Sequence, residues 1–146
     1  MMHRDLVYLV QTDTTAGFLS CSAERLALIK ERPRRKPFLK ALAHFSDIQN
    51  IGRVPAIHRA MVRRSKKRSF ILPNGESFRV VHERHKAFIE KFGWCFTTSA
   101  NRHGESFDEA YARKMCDVVV ESIEGFSAKE PSGIWRLHRT GKVKIR

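Results

Sequence analysis

A chain of 146 residues with 42% apolar content is long enough to bury one continuous core without disulfides or a structural metal, and a single domain over residues 1–146 is the expectation. No apolar run approaches the roughly 20 residues that span a bilayer. Met1 to Asp5 leads into a strand-like run rather than a signal peptide, so a cytoplasmic protein with no membrane partner is expected. A formal charge of +13 draws polyanions, nucleic acid first among them, by steering and counterion release.

Leu6 to Gln11 reads LVYLVQ, short, β-branched and aromatic, the pattern of a buried strand, and the polar stretch Thr12 to Gly17 reads as a turn at its carboxyl end. Ser22 is placed to cap a helix running through Leu26 and Ile29 to Glu31. Pro33 stops that helix, because the residue before a proline is pushed out of helical geometry. Arg32 to Pro37 is then a stiff basic loop. Phe38 to Ala43 reads as a strand and Ala56 to Arg64 as a helix. From Arg53 to Arg68 the basic residues Arg53, Arg59, Arg63, Arg64, Lys66, Lys67 and Arg68 accumulate with no acidic residue between them. Such clustering favours a nucleic-acid face over a diffuse, solvated surplus.

Ser69–Leu72 and Ser77–Val81 flank Pro73-Asn74-Gly75-Glu76, whose Asn-Gly step supplies the positive backbone angles of a hairpin. His85 to Phe92 has helical spacing and ends at Gly93, a favoured left-handed cap. Trp94 to Thr98 reads as a strand, Ser99 to Ser106 as a loop, Asp108 to Met115 as a helix, and Val118–Val120, Ile134–Leu137 and Lys142–Ile145 as further strands. Strands alternating with helices, interrupted by one hairpin, predict an α/β fold with a mixed sheet and helices packed on it. Cys21, Cys95 and Cys116 lack the paired spacing of a zinc or redox motif and read as reduced thiols. His82-Glu83-Arg84-His85 lacks the His-Glu-x-x-His spacing of a metalloprotease and reads as a solvated helix start; no metal site is expected. Trp94 and Phe96 read as core, and Trp135 suits either the core or a base-stacking platform.

Three strand-to-loop junctions concentrate hydroxyl, amide or basic groups: Thr12-Asp13-Thr14, Lys30 with Arg32, and Thr97-Thr98-Ser99-Ala100-Asn101. Each alone is ordinary turn or helix-end chemistry. Their order and spacing, as TDTTAGFL, KERPRRKPF and TTSANRHGESF, resembles the signature of the YrdC-like family, the threonylcarbamoyl-AMP synthases, between residues 11 and 107. Pro131-Ser132-Gly133-Ile134-Trp135 is similar to the family's late Pro-Ser-Thr stretch.

The resemblance implies a twisted sheet, mixed parallel and antiparallel, with a basic concave face. It implies a reaction joining L-threonine, bicarbonate and ATP, the last with Mg2+, into threonylcarbamoyl-AMP with release of pyrophosphate, for threonylcarbamoyladenosine in tRNA. Lys30 and Arg32 would be the charge clamps that hold threonine's carboxylate near the ATP phosphates. Thr12, Thr14, Thr97, Ser99, Asn101 and Ser132 would bind threonine and nucleotide. The nucleophile is the substrate's own amine, so positioning and charge stabilisation would carry catalysis. RNA, as tRNA or a double-stranded form, is expected on Arg34, Arg35, Lys36, Arg63, Arg64, Lys66 and Lys67, with other tRNA-modification proteins as further partners.

The chain departs from the family pattern at named places. Ala16 stands where the family has Tyr, which is expected to remove a wall of the substrate pocket, and the family's Trp-Pro-Gly-Pro stretch has no counterpart. Its Arg-x-Pro appears as Arg79-Val80-Val81, and the chain is short for the family. Two alternatives stand beside the synthase: a non-catalytic module of the same fold that binds structured RNA, and carbamoyl transfer to a different acceptor.

Overall fold

Period-two alternation in the first apolar run decides the architecture. The computed structural model describes residues 3–33, 37–82 and 85–146. In it, β1 (Tyr8–Val10) sends Tyr8 and Val10 to one side of the sheet, while Leu9 and the preceding Val7 go to the other; all four are buried. A strand buried on both faces needs a sheet covered on both sides.

β2 (Gly17–Ser20) returns antiparallel to β1 with Tyr8 opposite Leu19, so Thr12 to Ala16 is a hairpin loop rather than the lone turn expected. Gly17 sits in a crowded spot: a Cβ would lie 3.2 Å from the Thr98 carbonyl oxygen and 3.3 Å from the Thr12 methyl. α1 (Ala23–Lys30) is capped by Ser22, whose Oγ accepts from the Arg25 amide at 3.3 Å; it ends at Glu31 in the left-handed region, φ 52°. β3 (Leu39–Leu42) falls within the expected strand. An unforeseen 3-10 segment over Phe45–Asn50 follows, and a second at Ala56–His58 leads into α2 (Arg59–Arg64).

β4 (Arg68–Ile71) and β5 (Ser77–Val80) form the hairpin that Asn74-Gly75 announces, with Gly75 at φ 89°. α3 (Lys86–Glu90), β6 (Trp94–Ser99), α4 (Glu109–Met115), β7 (Val118–Val119), β8 (Gly133–Leu137) and β9 (Lys142–Lys144) complete the described elements. Asp108 caps α4 by accepting from the Ala110 and Tyr111 amides.

Among the described residues the strands form one nine-stranded sheet in the order β7-β1-β2-β6-β3-β5-β4-β8-β9. The pairs β1/β7, β3/β5 and β4/β8 are parallel and the rest antiparallel, the mixed sheet that the interrupting hairpin predicts. On one face, α3 sets Phe88 and Ile89 against Tyr8, Val10, Leu19, Ala41 and Cys95. On the other, α1 and α4 pack Leu26, Ala27 and Ala112 against Val7, Leu9 and Phe18, and α2 packs Val62 against Leu42, Phe70, Phe78 and Leu137. Phe18, Phe70 and Phe78 are fully buried, each worth roughly 2–3 kcal/mol in transfer free energy.

Candidate functional site

Strand register decides which polar side chains meet. Thr97 pairs with Leu39, Arg79 with Ala41, Ile71 with Ser77 and Ser69 with Ile134, so these residues share the face on which α3 packs. α3 covers only the part of that face over Tyr8, Val10, Ala41 and Cys95. Beside it lies a cavity of about 400 Å3, lined among others by Thr12, Thr14, Arg32, Ser69, Arg79, His85, Thr97, Ser99, Ser132 and Arg146. A second cavity of about 800 Å3 shares Arg32, Thr98, Ser99 and Arg146 with the first and adds Lys30, Asn101, His103 and Tyr111.

Six of the expected substrate residues, Thr12, Thr14, Arg32, Thr97, Ser99 and Ser132, therefore line one cavity. Lys30 and Asn101 line its neighbour. The Thr12 hydroxyl donates to the Thr15 carbonyl oxygen at 2.7 Å and accepts from the Thr14 amide at 3.1 Å. Its proton being committed, Thr14 Oγ1, 3.1 Å away, is the donor of that pair. Ser69 and Ser132 join hydroxyls at 2.8 Å across β4 and the approach to β8, and the Arg146 guanidinium donates to the Ser132 carbonyl oxygen at 2.9 Å.

Lys30 differs from the free clamp that was expected. Its amine donates to the Ser99 carbonyl oxygen at 2.9 Å and to that of Asn101, while Ser99 Oγ donates to Asn101 Oδ1. Burial first, then the charge of Arg32, lowers the Lys30 pKa to about 8. Arg32 stacks 4.7 Å over the Phe38 ring and donates to the Pro37 carbonyl oxygen at 3.2 Å; burial lowers its pKa as well.

The structure adds residues that the sequence reading passed over. Asp13, between the two threonines, forms a buried ion pair with Arg79 of β5, and Arg79 and His85 both line the cavity. His85 is buried, not the solvated helix start expected of it; Glu83 and Arg84 lie outside the described residues. Burial first, then the Arg79 charge, holds the His85 pKa well below the usual imidazole value, against an opposing pull from Asp13. The available signal was Arg79 itself, a charge inside the apolar strand SFRV, which demands a buried partner. Ala16 is fully buried between α1, α4 and the sheet and does not line the cavity.

Of the expected RNA contacts, Arg34, Arg35 and Lys36 lie outside the described residues. Arg63, Arg64, Lys66 and Lys67 are exposed. Arg63 and Arg64 belong to α2, which packs on the face opposite the cavity, and Arg63 lies 4.7 Å over the Phe45 ring. On that same face Trp135 packs against the α2 cluster with Arg68, Lys142 and Lys144 each 5.9 Å from its ring, so it serves as core and as a seat for cations together. Trp94 and Phe96 pack edge to face, as core residues do, with Lys40 over both. Among the described residues no group of His, Cys, Asp and Glu could hold a metal ion, and no helix is long and apolar enough to cross a membrane.

No protein-family description and no curated sequence matches the chain. Solved structures do. Sua5 of P. abyssi, complexed with L-threonine, superposes with a TM-score of 0.81 at 16% identity over 97% of this chain and 50% of its own. YciO of E. coli gives 0.77 at 19% identity over 97% of this chain and 82% of its own. The MTH1692 protein from Methanobacterium thermoautotrophicum gives 0.70 at 20% identity over 96% and 79%. The chain thus spans about half of Sua5 and about four-fifths of the other two. With its mixed nine-stranded sheet in this order, the chain has the YrdC-like fold of the Sua5 and YciO structures.

Proposed function

We propose that the chain joins L-threonine, bicarbonate and ATP into threonylcarbamoyl-AMP, releasing pyrophosphate, in service of threonylcarbamoyladenosine formation in tRNA. The observation that carries this reading is the convergence of Thr12, Thr14, Thr97, Ser99 and Ser132 with Arg32 on one cavity that abuts the larger one lined by Lys30 and Asn101. The L-threonine held by the Sua5 structure of the same fold supports it. Arg32, common to both cavities, would face the amino acid's carboxylate and the ATP phosphates and so relieve their mutual repulsion. The hydroxyls would orient neutral oxygens without titrating, and the threonine amine would be the nucleophile. No acidic cluster among the described residues suits a resident metal, so Mg2+ would arrive as part of the ATP substrate.

The test is pyrophosphate release from purified protein given ATP, Mg2+ and bicarbonate, with and without L-threonine. Threonine-dependent release that falls at least about 100-fold in Arg32→Ala is expected, the loss of one charge-stabilising group. No release from folded protein would overturn the reading. A second reading, a non-catalytic RNA-binding module, is favoured by the exposed run Arg63, Arg64, Lys66, Lys67 and Arg68, of which Arg63 and Arg64 stand on the helix that packs on the face opposite the cavity. It expects RNA binding with no dependence on Arg32.

A further inference from the structure

The net charge of the chain sits at one end of the sheet. Residues 48–75 and 131–146 hold no acidic residue and 12 of the 28 lysines and arginines, while the remaining residues hold 16 basic and 15 acidic groups. The first segment contains α2 and β4 and the second β8 and β9; because β4 pairs with β8 and β8 with β9, the fold merges the two. Almost the whole excess of +13 therefore gathers there, the footprint of a polyanion site.

Register then places an aromatic ring among those charges. Trp135 lies opposite Phe70 on β4 and opposite Lys144 on β9, and Arg68 and Lys142, each two residues along from those partners, fall on the same face. The Arg68 guanidinium and the Lys142 and Lys144 amines each lie 5.9 Å from the indole centroid. All three cations belong to exposed residues, and among the described residues no ion pair engages any of them. Trp135 is half-buried: it packs on the apolar cluster under α2 yet keeps part of its surface in solvent. Phe45, packed on the same cluster with Arg63 4.7 Å over its ring, repeats the pairing of aromatic and cation. Three like charges held around one ring with no carboxylate between them repel one another, and an anion among them relieves that repulsion.

A phosphate alone would need only the cations. The indole at their centre adds a flat apolar surface, which a nucleobase covers by stacking while its phosphates take the charges. Bases inside a duplex already stack on one another, so the base that uses this ring is an unpaired one. An anionic membrane would also meet the charge, but a membrane surface is held by apolar side chains inserted beside the cations. Val143, exposed between the two lysines, faces the other side of the sheet.

We propose that Trp135, with Arg68, Lys142 and Lys144, is a stacking site for an unpaired base of single-stranded nucleic acid. The inference rests on the RNA-binding reading and adds to it a residue that touches base rather than phosphate.

Affinity and fluorescence titrations of the full chain with octathymidylate, with an abasic deoxyribose-phosphate octamer of equal charge, and with a short RNA duplex test it. Octathymidylate binds at least about fivefold more tightly than the abasic octamer, following the loss expected for one stacked base, and quenches indole emission. In Trp135→Leu that preference falls to about twofold or less while the abasic octamer binds as before; a ring that served only as core would lower both affinities or neither. In Trp135→Phe much of the preference returns without the quenching, since Trp94 is then the only tryptophan. Equal binding of the two octamers by the unmodified protein, or binding of the duplex alone, overturns the stacking site and leaves the RNA reading standing; so does quenching that persists in Trp135→Phe. Binding of none of the three overturns the RNA reading itself, and capture on phosphatidylserine vesicles would then assign the charged end to a membrane. The comparison of octamers needs no variant, so a Trp135→Leu chain that fails to fold does not block the decision.

Discussion

The Lys30 amine lies 2.9 Å from the carbonyl oxygen of Ser99, a residue 69 positions away, and so binds the last turn of α1 to the end of β6. Asn101, held by the same amine, also donates from Nδ2 to the Glu105 carbonyl oxygen at 2.6 Å, which extends the tie into the loop before α4. Lys30→Ala removes the donor from the part-buried Asn101 carbonyl and from the exposed one of Ser99. The expected cost is about 1–2 kcal/mol, read as a lower denaturant midpoint at unchanged m. Lys30→Ala with full stability and no pyrophosphate release would show instead that the amine acts on the substrate and that its carbonyl contacts add little.

His85 makes stability depend on acid. Its folded pKa lies below the 6.5 of the free imidazole, so the unfolded chain takes up a proton that the folded chain refuses. The stability linked to His85 is complete above pH 6.5 and declines as pH falls below it. The stability difference between the unmodified protein and His85→Leu should therefore shift in favour of the variant on acidification from pH 7 to 5, measured by denaturant titration at each pH. A difference that stays level across that range would mean that His85 is already solvated and free to titrate.

The Asp13–Arg79 pair invites a double-mutant cycle. Asp13→Ala strands a buried guanidinium, which costs about 3–5 kcal/mol, whereas Asp13→Ala combined with Arg79→Met removes both charges and recovers much of that loss. Thermal or chemical unfolding of the four proteins reads the coupling. Additive losses would mean that the two charges are satisfied separately and that the pair does not organise the cavity.

How much of this was legible in sequence follows from the range of each interaction. The Ser22 cap and the Gly75 turn depend on neighbours within a few positions, and local pattern exposes them. β2 escaped because GFLS is four residues headed by glycine, and only its pairing with both β1 and β6 makes it a strand. His85 escaped for a related reason: what buries it is a fold that brings it to Asp13 and Arg79, and a polar tetrad in sequence reads as solvent-facing. At Ala16 the sequence shows only a small residue in a polar turn. Its amide donates to the Ser127 carbonyl oxygen at 3.1 Å and its carbonyl accepts from the Ala100 amide at 2.8 Å, so the backbone at that position braces two loops while the side chain fills core. The grouping of Thr12, Arg32, Thr97 and Ser132 was legible through motif order, because order along a chain survives when register and distance cannot be seen.

The basic run on α2 and the segment after it gives a prediction that separates the proposed RNA contact from the proposed catalysis. Arg63 and Arg64 stand on a helix that packs on one face of the sheet, and the cavity opens on the other. Neutralising Arg63, Arg64, Lys66 and Lys67 together removes exposed charge without touching any residue that lines the cavity. RNA affinity should fall, and the dependence of log Kd on log salt should flatten by as much as about 3–4, because each phosphate contact contributes about 0.9 to that slope on a duplex. Pyrophosphate release should stay within about twofold of the unmodified protein, since the four side chains are exposed and solvent screens exposed charges over a Debye length of about 8–10 Å. An RNA affinity and salt slope unchanged by the fourfold substitution would move the RNA site elsewhere, and Arg32 and Arg146 at the cavity would then be the next cations to neutralise.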